Sequence, residues 1–335
     1  MTRRDPDTAD SASGIDVAPG IDIDDVEDGL LRETIPSALA GERVDRIVSL
    51  MTGASRSDAA TLVASGGASV DGVLERSGKL RLSEGQAIVI DPSHLPKVAL
   101  PAPEAGVTFD VVYADEHLAV IDKPAGLVVH PGAGNPTGTL VNGLLARFSR
   151  IAGVGEPHRP GIVHRLDAGT SGLLVVALDA RAYTGLTAAL AAHDVERRYR
   201  ALVWGHPANP VGVVDGPIGR DHRDPLRMAV VVDGKPARTH YRVERVHDRA
   251  VSVAEVECRL ETGRTHQIRV HLAAIGHPVV GDPTYGGVRS GITVGRPFLH
   301  AAALAFAHPV TGAAMRFESA LPEDLSEILR VVEGS

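Results

Sequence analysis

The chain has 335 residues, 44% of them hydrophobic, a formal charge of −8 and a single cysteine, Cys258. That length and apolar content support two folded domains and a tail, while one cysteine excludes an internal disulfide and a thiolate zinc cage. The longest apolar runs, Leu173 to Ala177 and Ala301 to Ala307, are far too short to cross a bilayer, and no charged-apolar-small leader opens the chain. A cytoplasmic protein with no membrane partner is expected.

The charge is unevenly spread. Residues 1–30 carry nine acids against Arg3 and Arg4, which is −7 of the total, so the remaining chain is close to neutral. A near-neutral body with clustered arginines can still bind RNA, because phosphate contacts depend on the local patch. Residues 1–32, rich in Asp, Ser, Gly and Pro, are expected to be a disordered acidic tail.

Residues 37–91 read as a small domain. Val44, Ile47, Val48 and Met51 share one helix face, and Ser55 caps a second helix that stops at Gly66 and Gly67. Ala68 to Val70 then leads into an Asp71-Gly72 turn, and Gln86 to Ile90 forms a closing strand. The polar side of the helical pair carries Arg43, Arg46 and Arg56. On charge spacing alone this is an ordinary solvated surface. The order of helix, Ser-Arg-Ser, helix, Gly, Val-Asp-Gly and strand resembles the small alpha-L RNA-binding domain shared with small-subunit ribosomal protein four. That resemblance implies an RNA-facing role for the three arginines. Pro92, Pro96, Pro101 and Pro103 make residues 92–105 a stiff linker.

Residues 106–330 form the second expected domain. Strands are expected at Val107 to Tyr113, Leu118 to Ile121, Leu173 to Ala177, Tyr199 to Trp204, Thr239 to Val246 and Val251 to Arg259, with a helix from Ala180 to His193. Many of these strands follow one another through tight turns. The fold class is therefore α+β, with a mixed, largely antiparallel sheet behind a small α/β domain.

Three segments could carry chemistry. GIVHRLDAGTSGLLVVA, residues 161–177, sets His164, Arg165 and Asp167 in a turn feeding an apolar strand, where a group can be held rigidly. By composition alone Asp167 is better explained as a cap on the Gly169 and Thr170 amides. ETGRTHQIRVHLAAIGH, residues 261–277, puts Ile268, Leu272 and Ile275 on one helical face, with Gly276 as the stop and His266 and Arg269 on another. His266 and His271 are five apart with no completing carboxylates, so no metal site is expected. Arg197-Arg198-Tyr199-Arg200 opens an apolar strand, where Tyr199 is either an edge residue or a stacking platform for a base.

Five ordered blocks resemble the RluA family of pseudouridine synthases: DKPAGLVVHPGAG from Asp122, VHRLDAGTSGLLVVA, RRYRALVWG from Arg197, GRTHQIRVHLAAIGHPVVGDPTYGG from Gly263, and LHAAALAFAHPVTG from Leu299. HPGAGNPTGTLVNGLL, together with the first domain, is most similar to the RluD branch. The resemblance implies isomerisation of uridine to pseudouridine in structured RNA, most of all large-subunit ribosomal RNA, by base flipping and without a cofactor or metal. It carries the nucleophile onto Asp167, the active-site tyrosine onto Tyr199 and the arginine that pairs with the nucleophile onto Arg269. It also carries a base-displacing role onto Arg165, and His164, Arg264 and His266 join Arg43, Arg46 and Arg56 as expected RNA contacts. Ala168-Gly169 stand where many relatives have Lys-Asp, and Arg197 where a lysine is frequent. A monomer acting on loop uridines is expected. The alternatives are a synthase acting on transfer RNA, a non-catalytic RNA-binding or ribosome-assembly factor, and a histidine-rich metal hydrolase that a chelator would silence.

Overall fold

The computed structural model describes residues 29–96, 100–132, 134–224, 227–249 and 251–334. The chain divides into two compact units between Ala99 and Leu100. The expected acidic tail lies outside the described residues up to position 28, and it ends sooner than its composition suggests. Leu31–Thr34 is already a strand, β1, because its alternating side chains cover the neighbouring strand and lead Ile35 into the core.

In the first unit β1 is followed by α1 (Val44–Thr52), α2 (Arg56–Ala64), β2 (Ala68–Val70), β3 (Val73–Glu75) and β4 (Ala87–Ile90). The antiparallel sheet has the order β1-β4-β2-β3. Val44, Ile47 and Val48 are buried, as their spacing requires. The Ser55 side chain accepts the Asp58 N–H at 3.2 Å and caps α2.

The second unit runs β5 (Asp110–Ala114), β6 (Leu118–Lys123), α3 (Leu140–Arg147), β7 (Ser171–Ala177), α4 (Ala180–Ala191), β8 (Glu196–Trp204), β9 (Val211–Asp215), β10 (Ile218–Arg220), β11 (Met228–Val230), β12 (Arg238–His247), β13 (Val253–Leu260), α5 (Gln267–Ala274), β14 (Leu299–Ala307), β15 (Ala314–Glu318) and α6 (Glu323–Glu333). Its large sheet has the order β5-β6-β7-β14-β8-β13-β12-β9, with β15 paired to β14, and β10 and β11 form a separate ribbon. Among the described pairings only β7 with β14 is parallel, so the sheet is largely antiparallel as expected. Every residue of β7 is buried. Its two faces lie in two separate cores, Leu174 and Val176 with Leu140 and Leu144 of α3, and Leu173 and Val175 with Ala182 and Leu186 of α4. Covering both faces turns an apolar run into a rigid central strand. Gly172, at φ +110°, lets the β14 backbone close in, since a Cβ there would stand 2.3 Å from the Ala301 carbonyl oxygen.

The end of the expected linker belongs to this unit: Asn142 Nδ2 donates to the Ala102 carbonyl at 2.8 Å, and the Glu104 N–H donates to the Asn142 carbonyl at 2.9 Å. Ile275, placed by its spacing on the apolar face of α5, is instead 36% exposed, because the helix ends at Ala274. Among the described residues no helix is long and apolar enough to cross a membrane.

Candidate active site

A cavity of about 700 Å³ opens in the second unit where the turn before β7, the start of β8 and the entry to α5 converge, a size suited to a small ligand. It is lined by Asp167, Tyr199 and Arg269 and by His164, Arg165, Arg264 and His266. Residues scattered over the sequence are thus brought together. Arg43, Arg46 and Arg56 belong to the first unit.

Each element delivers its side chain for a local reason. The Thr170 N–H donates to the Asp167 backbone carbonyl at 3.1 Å, so the main chain closes the turn and leaves the carboxylate available. Alternation along β8 puts Arg197, Tyr199 and Ala201 on one buried face. His266 precedes α5 in the left-handed region, φ 57°, which turns the chain so that Arg269 points inward and is buried.

Arg269 is the hinge of the electrostatics. Its Nε and Nη2 donate to the two Asp282 oxygens at 2.6 and 2.9 Å, and its Nη1 donates to Asp167 at 3.1 Å. The fork geometry of guanidinium allows two parallel bonds to one carboxylate and a third to another. Burial disfavours the Arg269 charge, but the bonds and charges of Asp282 and Asp167 outweigh it and hold the pKa above its ordinary value. Asp282 is fully buried, whereas 19% of the Asp167 side chain is exposed. One carboxylate is locked in the wall and the other faces the cavity. Asp282 is held in turn by the Thr284 and Tyr285 N–H groups at 2.9 and 3.2 Å. Gly287 closes that loop, since a Cβ there would meet the Val279 carbonyl at 1.8 Å.

The remaining groups are tuned towards neutrality. Burial pushes the Tyr199 phenol up to about 12, with Arg197 opposing and Asp167 adding to the rise. Burial, followed by the charge of Arg197, pushes His164 down to about 3, and its Nε2 accepts the Val175 N–H at 3.0 Å. His266 is also lowered, chiefly by burial, and shares a 2.8 Å hydrogen bond with the Tyr285 hydroxyl. The Tyr285 ring lies 5.1 Å from the Arg269 guanidinium carbon, a cation–π contact that keeps the arginine in place.

Arg165 is exposed, and its Nη1 donates to His130 Nε2 at 3.2 Å. Burial and then the Arg165 and Arg159 charges push His130 down to about 4, so it is a neutral acceptor. Arg264 Nε donates to the Pro236 carbonyl at 3.0 Å.

Two supporting residues had no role in the sequence reading. Asp282 sits in a Gly-Asp-Pro turn and reads as a turn former. Lys123 ends an apolar strand and is fully buried, and its ammonium donates to the carbonyls of Pro124, Leu127 and Ala168 at 2.8, 2.8 and 3.2 Å. Burial pushes it down to about 8, with the Asp167 charge acting the other way. It pins the carbonyl next to Asp167. The available signal was a lysine closing an apolar run.

In the first unit Asp45 is buried and accepts from Arg43 Nε at 3.2 Å and Arg56 Nη2 at 2.9 Å. Burial raises its carboxyl, but those bonds outweigh it and hold it below the usual range. Arg46 lies 3.4 Å from Glu42 and stays 54% exposed. Among the described residues no histidine, cysteine or carboxylate cluster suits a metal ion.

A cavity with a partly exposed carboxylate, a buried guanidinium beside it, a neutral phenol and two exposed arginines can take a flat, uncharged ring attached to an anionic backbone. Residues 117–274 match the RNA pseudouridylate synthase family. The chain is 42% identical over 311 residues, covering 89% of its length and 96% of the relative's, to ribosomal large subunit pseudouridine synthase D of Zymomonas mobilis. It is 43% identical over 317 residues to the Xanthomonas campestris protein of the same name, covering 91% and 93% of the two chains. The solved structure of human RNA pseudouridylate synthase domain containing 1 matches with a TM-score of 0.52 and 27% identity, over 70% of this chain and 98% of that one.

Proposed function

The chain belongs to the RNA pseudouridylate synthase family, and from that premise we propose that it isomerises uridines of large-subunit ribosomal RNA with Asp167 as nucleophile. The enzyme class follows from the family; the ribosomal substrate rests on the names of its relatives. The observation that carries the role of Asp167 is its single bond to an Arg269 already committed to Asp282. Arg269 donates one bond to the carboxylate and leaves Asp167, partly exposed to the cavity, free to react.

Converting uridine to pseudouridine breaks the bond from ribose C1′ to ring N1 and makes one from C1′ to C5, with no change in composition. No redox partner or energy source is needed. The uracil must first leave its stack, at a cost of a few kcal/mol that is least for loop or bulge uridines. Arg165, exposed at the mouth, could fill the vacated place. Tyr199 is neutral and can stack on the flipped ring; it accepts a proton only by first giving one up. Arg264 and His266 would contact the flanking nucleotides, and His164 would hold the turn and bound the pocket.

The same reading makes the first unit an alpha-L-type RNA-binding domain that grips phosphates through Arg43, Arg46 and Arg56, and makes the protein a cytoplasmic monomer. The test is tritium release from ribosomal RNA labelled at uridine C5. Release by the wild type and none by Asp167→Asn is the expected result. Release only from transfer RNA would move the substrate, and release by Asp167→Asn at the wild-type rate would remove the nucleophile.

A further inference from the structure

The cations that line the cavity differ in how their charge is balanced. Arg269 has two carboxylates, and Arg159 has Glu156, at 2.7 and 2.5 Å. Arg165 and Arg264 are exposed, so water screens them. Arg197 has neither remedy. It is 6% exposed, and among the described residues it makes no ion pair. Its Nη2 donates to the Glu261 carbonyl at 3.0 Å, while its Nε is buried with no hydrogen-bond partner. Gly263 leaves it room, since a Cβ there would stand 3.0 Å from Nη1.

A buried guanidinium with an unfilled donor and no counter-charge is costly, and such a group is kept where a ligand completes it. The ligand's class follows from the neighbours. Arg197 and Tyr199 are two residues apart on one face of β8, a separation of about 7 Å along a strand. A ring stacked on Tyr199 would therefore offer its edge to Arg197. In the base-isomerising reaction proposed above, on which this inference rests, negative charge moves onto the ring. When the N1–C1′ bond breaks, its electron pair stays with the ring, giving a uracil anion whose charge is spread onto O2 and O4. Attack on the ring instead would also load a carbonyl oxygen. With Asp167 holding C1′ as the ring leaves, the ring then turns, C5 bonds to C1′ as the Asp167 carboxylate departs, the C5 proton leaves to solvent and N1 takes one up, so atoms and charge balance.

We propose that Arg197 is a further catalytic residue, whose guanidinium donates to a carbonyl oxygen of the flipped uracil and holds the negative charge the ring acquires on leaving the ribose. A preorganised donor aimed at developing charge acts more strongly on the transition state than on the resting substrate.

The experiment compares wild type, Arg197→Met and Arg197→Gln. It measures single-turnover tritium release from C5-labelled large-subunit ribosomal RNA at saturating enzyme, filter-binding affinity for the same RNA, and melting temperature. Both variants should melt at or above the wild type, because the charge they remove has no partner in the free protein. Single-turnover release should fall by about 10²–10³-fold, while affinity changes by less than about threefold. A release rate within about threefold of wild type would overturn the proposal. So would a loss confined to affinity, which would make Arg197 a backbone anchor, or a large drop in melting temperature in both variants, which would make it part of the frame. If the wild type itself releases nothing, the isomerase reading fails first; if only Asp167→Asn is silent and the Arg197 variants are fully active, this inference alone is lost.

Discussion

Asp282→Asn separates the frame of the candidate active site from Asp167, the proposed nucleophile. The substitution keeps an oxygen for the Thr284 and Tyr285 N–H groups but removes the buried negative charge that takes two of the three Arg269 bonds. Breaking a buried ion pair from one side costs about 3–5 kcal/mol, because the remaining charge is left uncompensated. In a unit of this size each kcal/mol moves the melting temperature by about 2–4 °C, so a fall of roughly 6–20 °C is expected. Asp167→Asn should behave differently. Arg269 keeps both bonds to Asp282, and the lost charge sits at a partly exposed position, so the change should stay within about 1 kcal/mol.

The chain holds a single tryptophan, Trp204 of β8, whose indole N–H donates to the Gly287 carbonyl at 2.7 Å. Its fluorescence therefore reports unfolding of the catalytic unit, next to the loop that carries Asp282. Asp282→Asn should also slow isomerisation by about 10²-fold, because a misaligned Arg269 no longer sets the Asp167 carboxylate. An Asp282→Asn protein melting within about 2 °C of wild type, less than 1 kcal/mol, would refute the account of the buried pair. Equal destabilisation by the two substitutions would make Asp167 structural.

Three further outcomes follow from the same geometry. Asp115 accepts the His117 and Leu118 N–H groups at 2.7 and 2.9 Å, the Tyr113 hydroxyl at 2.8 Å and His308 at 3.0 Å. Burial raises its carboxyl, but those bonds win and push it down to about 2 from an ordinary 3.8. A depressed folded pKa stabilises above the unfolded value and is lost on the way down. The stability gap between wild type and Asp115→Asn, followed by urea titration, should hold at pH 7 and shrink between pH 4 and about 2; a gap unchanged at pH 2.5 would contradict this. His164→Gln, which keeps an acceptor for the Val175 N–H, should fold normally, whereas His164→Leu orphans that donor and should cost about 1–3 kcal/mol in the same titration. Since His164 lies near 3 and Tyr199 near 12, neither should titrate between pH 6 and 9; an inflection there that vanishes in His164→Gln would count against a neutral imidazole. Finally, Arg46→Ala should lower the salt slope of RNA binding by about one without altering the single-turnover rate, and an unchanged slope would take Arg46 out of the phosphate contacts.

What could be read from the sequence was local. The apolar run of β7 and the polar turn before it sit within one segment, so strand and turn are both visible. The helical spacing of Ile268 and Leu272 likewise marks α5. The site itself is assembled by pairing over long distances. Asp167 and Arg269 are 102 positions apart, and the parallel contact between β7 and β14 leaves no trace in either strand's composition. Resemblance supplied the Asp167–Arg269 pairing, but it said nothing of Asp282 or Lys123, because a buried aspartate in a turn and a buried lysine at a strand end resemble surface residues when seen singly. α3 was missed for another reason. Asn142 and Gly143 interrupt its apolar residues and weaken its helix signal. Gly143 is there for packing, since a Cβ would fall 2.8 Å from the Phe109 ring and 2.9 Å from Val107.

Charge makes the same point about local and global information. A net of −8 argues against a polyanionic partner only if every arginine is equally available, and they are not. Arg43 and Arg56 share Asp45, Arg159 has Glu156, and Arg238 has Asp215 at 2.6 Å. These pairs cancel and contribute little field. The lining arginines without a carboxylate partner among the described residues are Arg165, Arg197 and Arg264, and all three line the cavity beside Asp167. An acidic chain can therefore present a positive site, and on the reading proposed above the exposed Arg165 and Arg264 would meet the phosphate backbone while the buried Arg197 is left for the base.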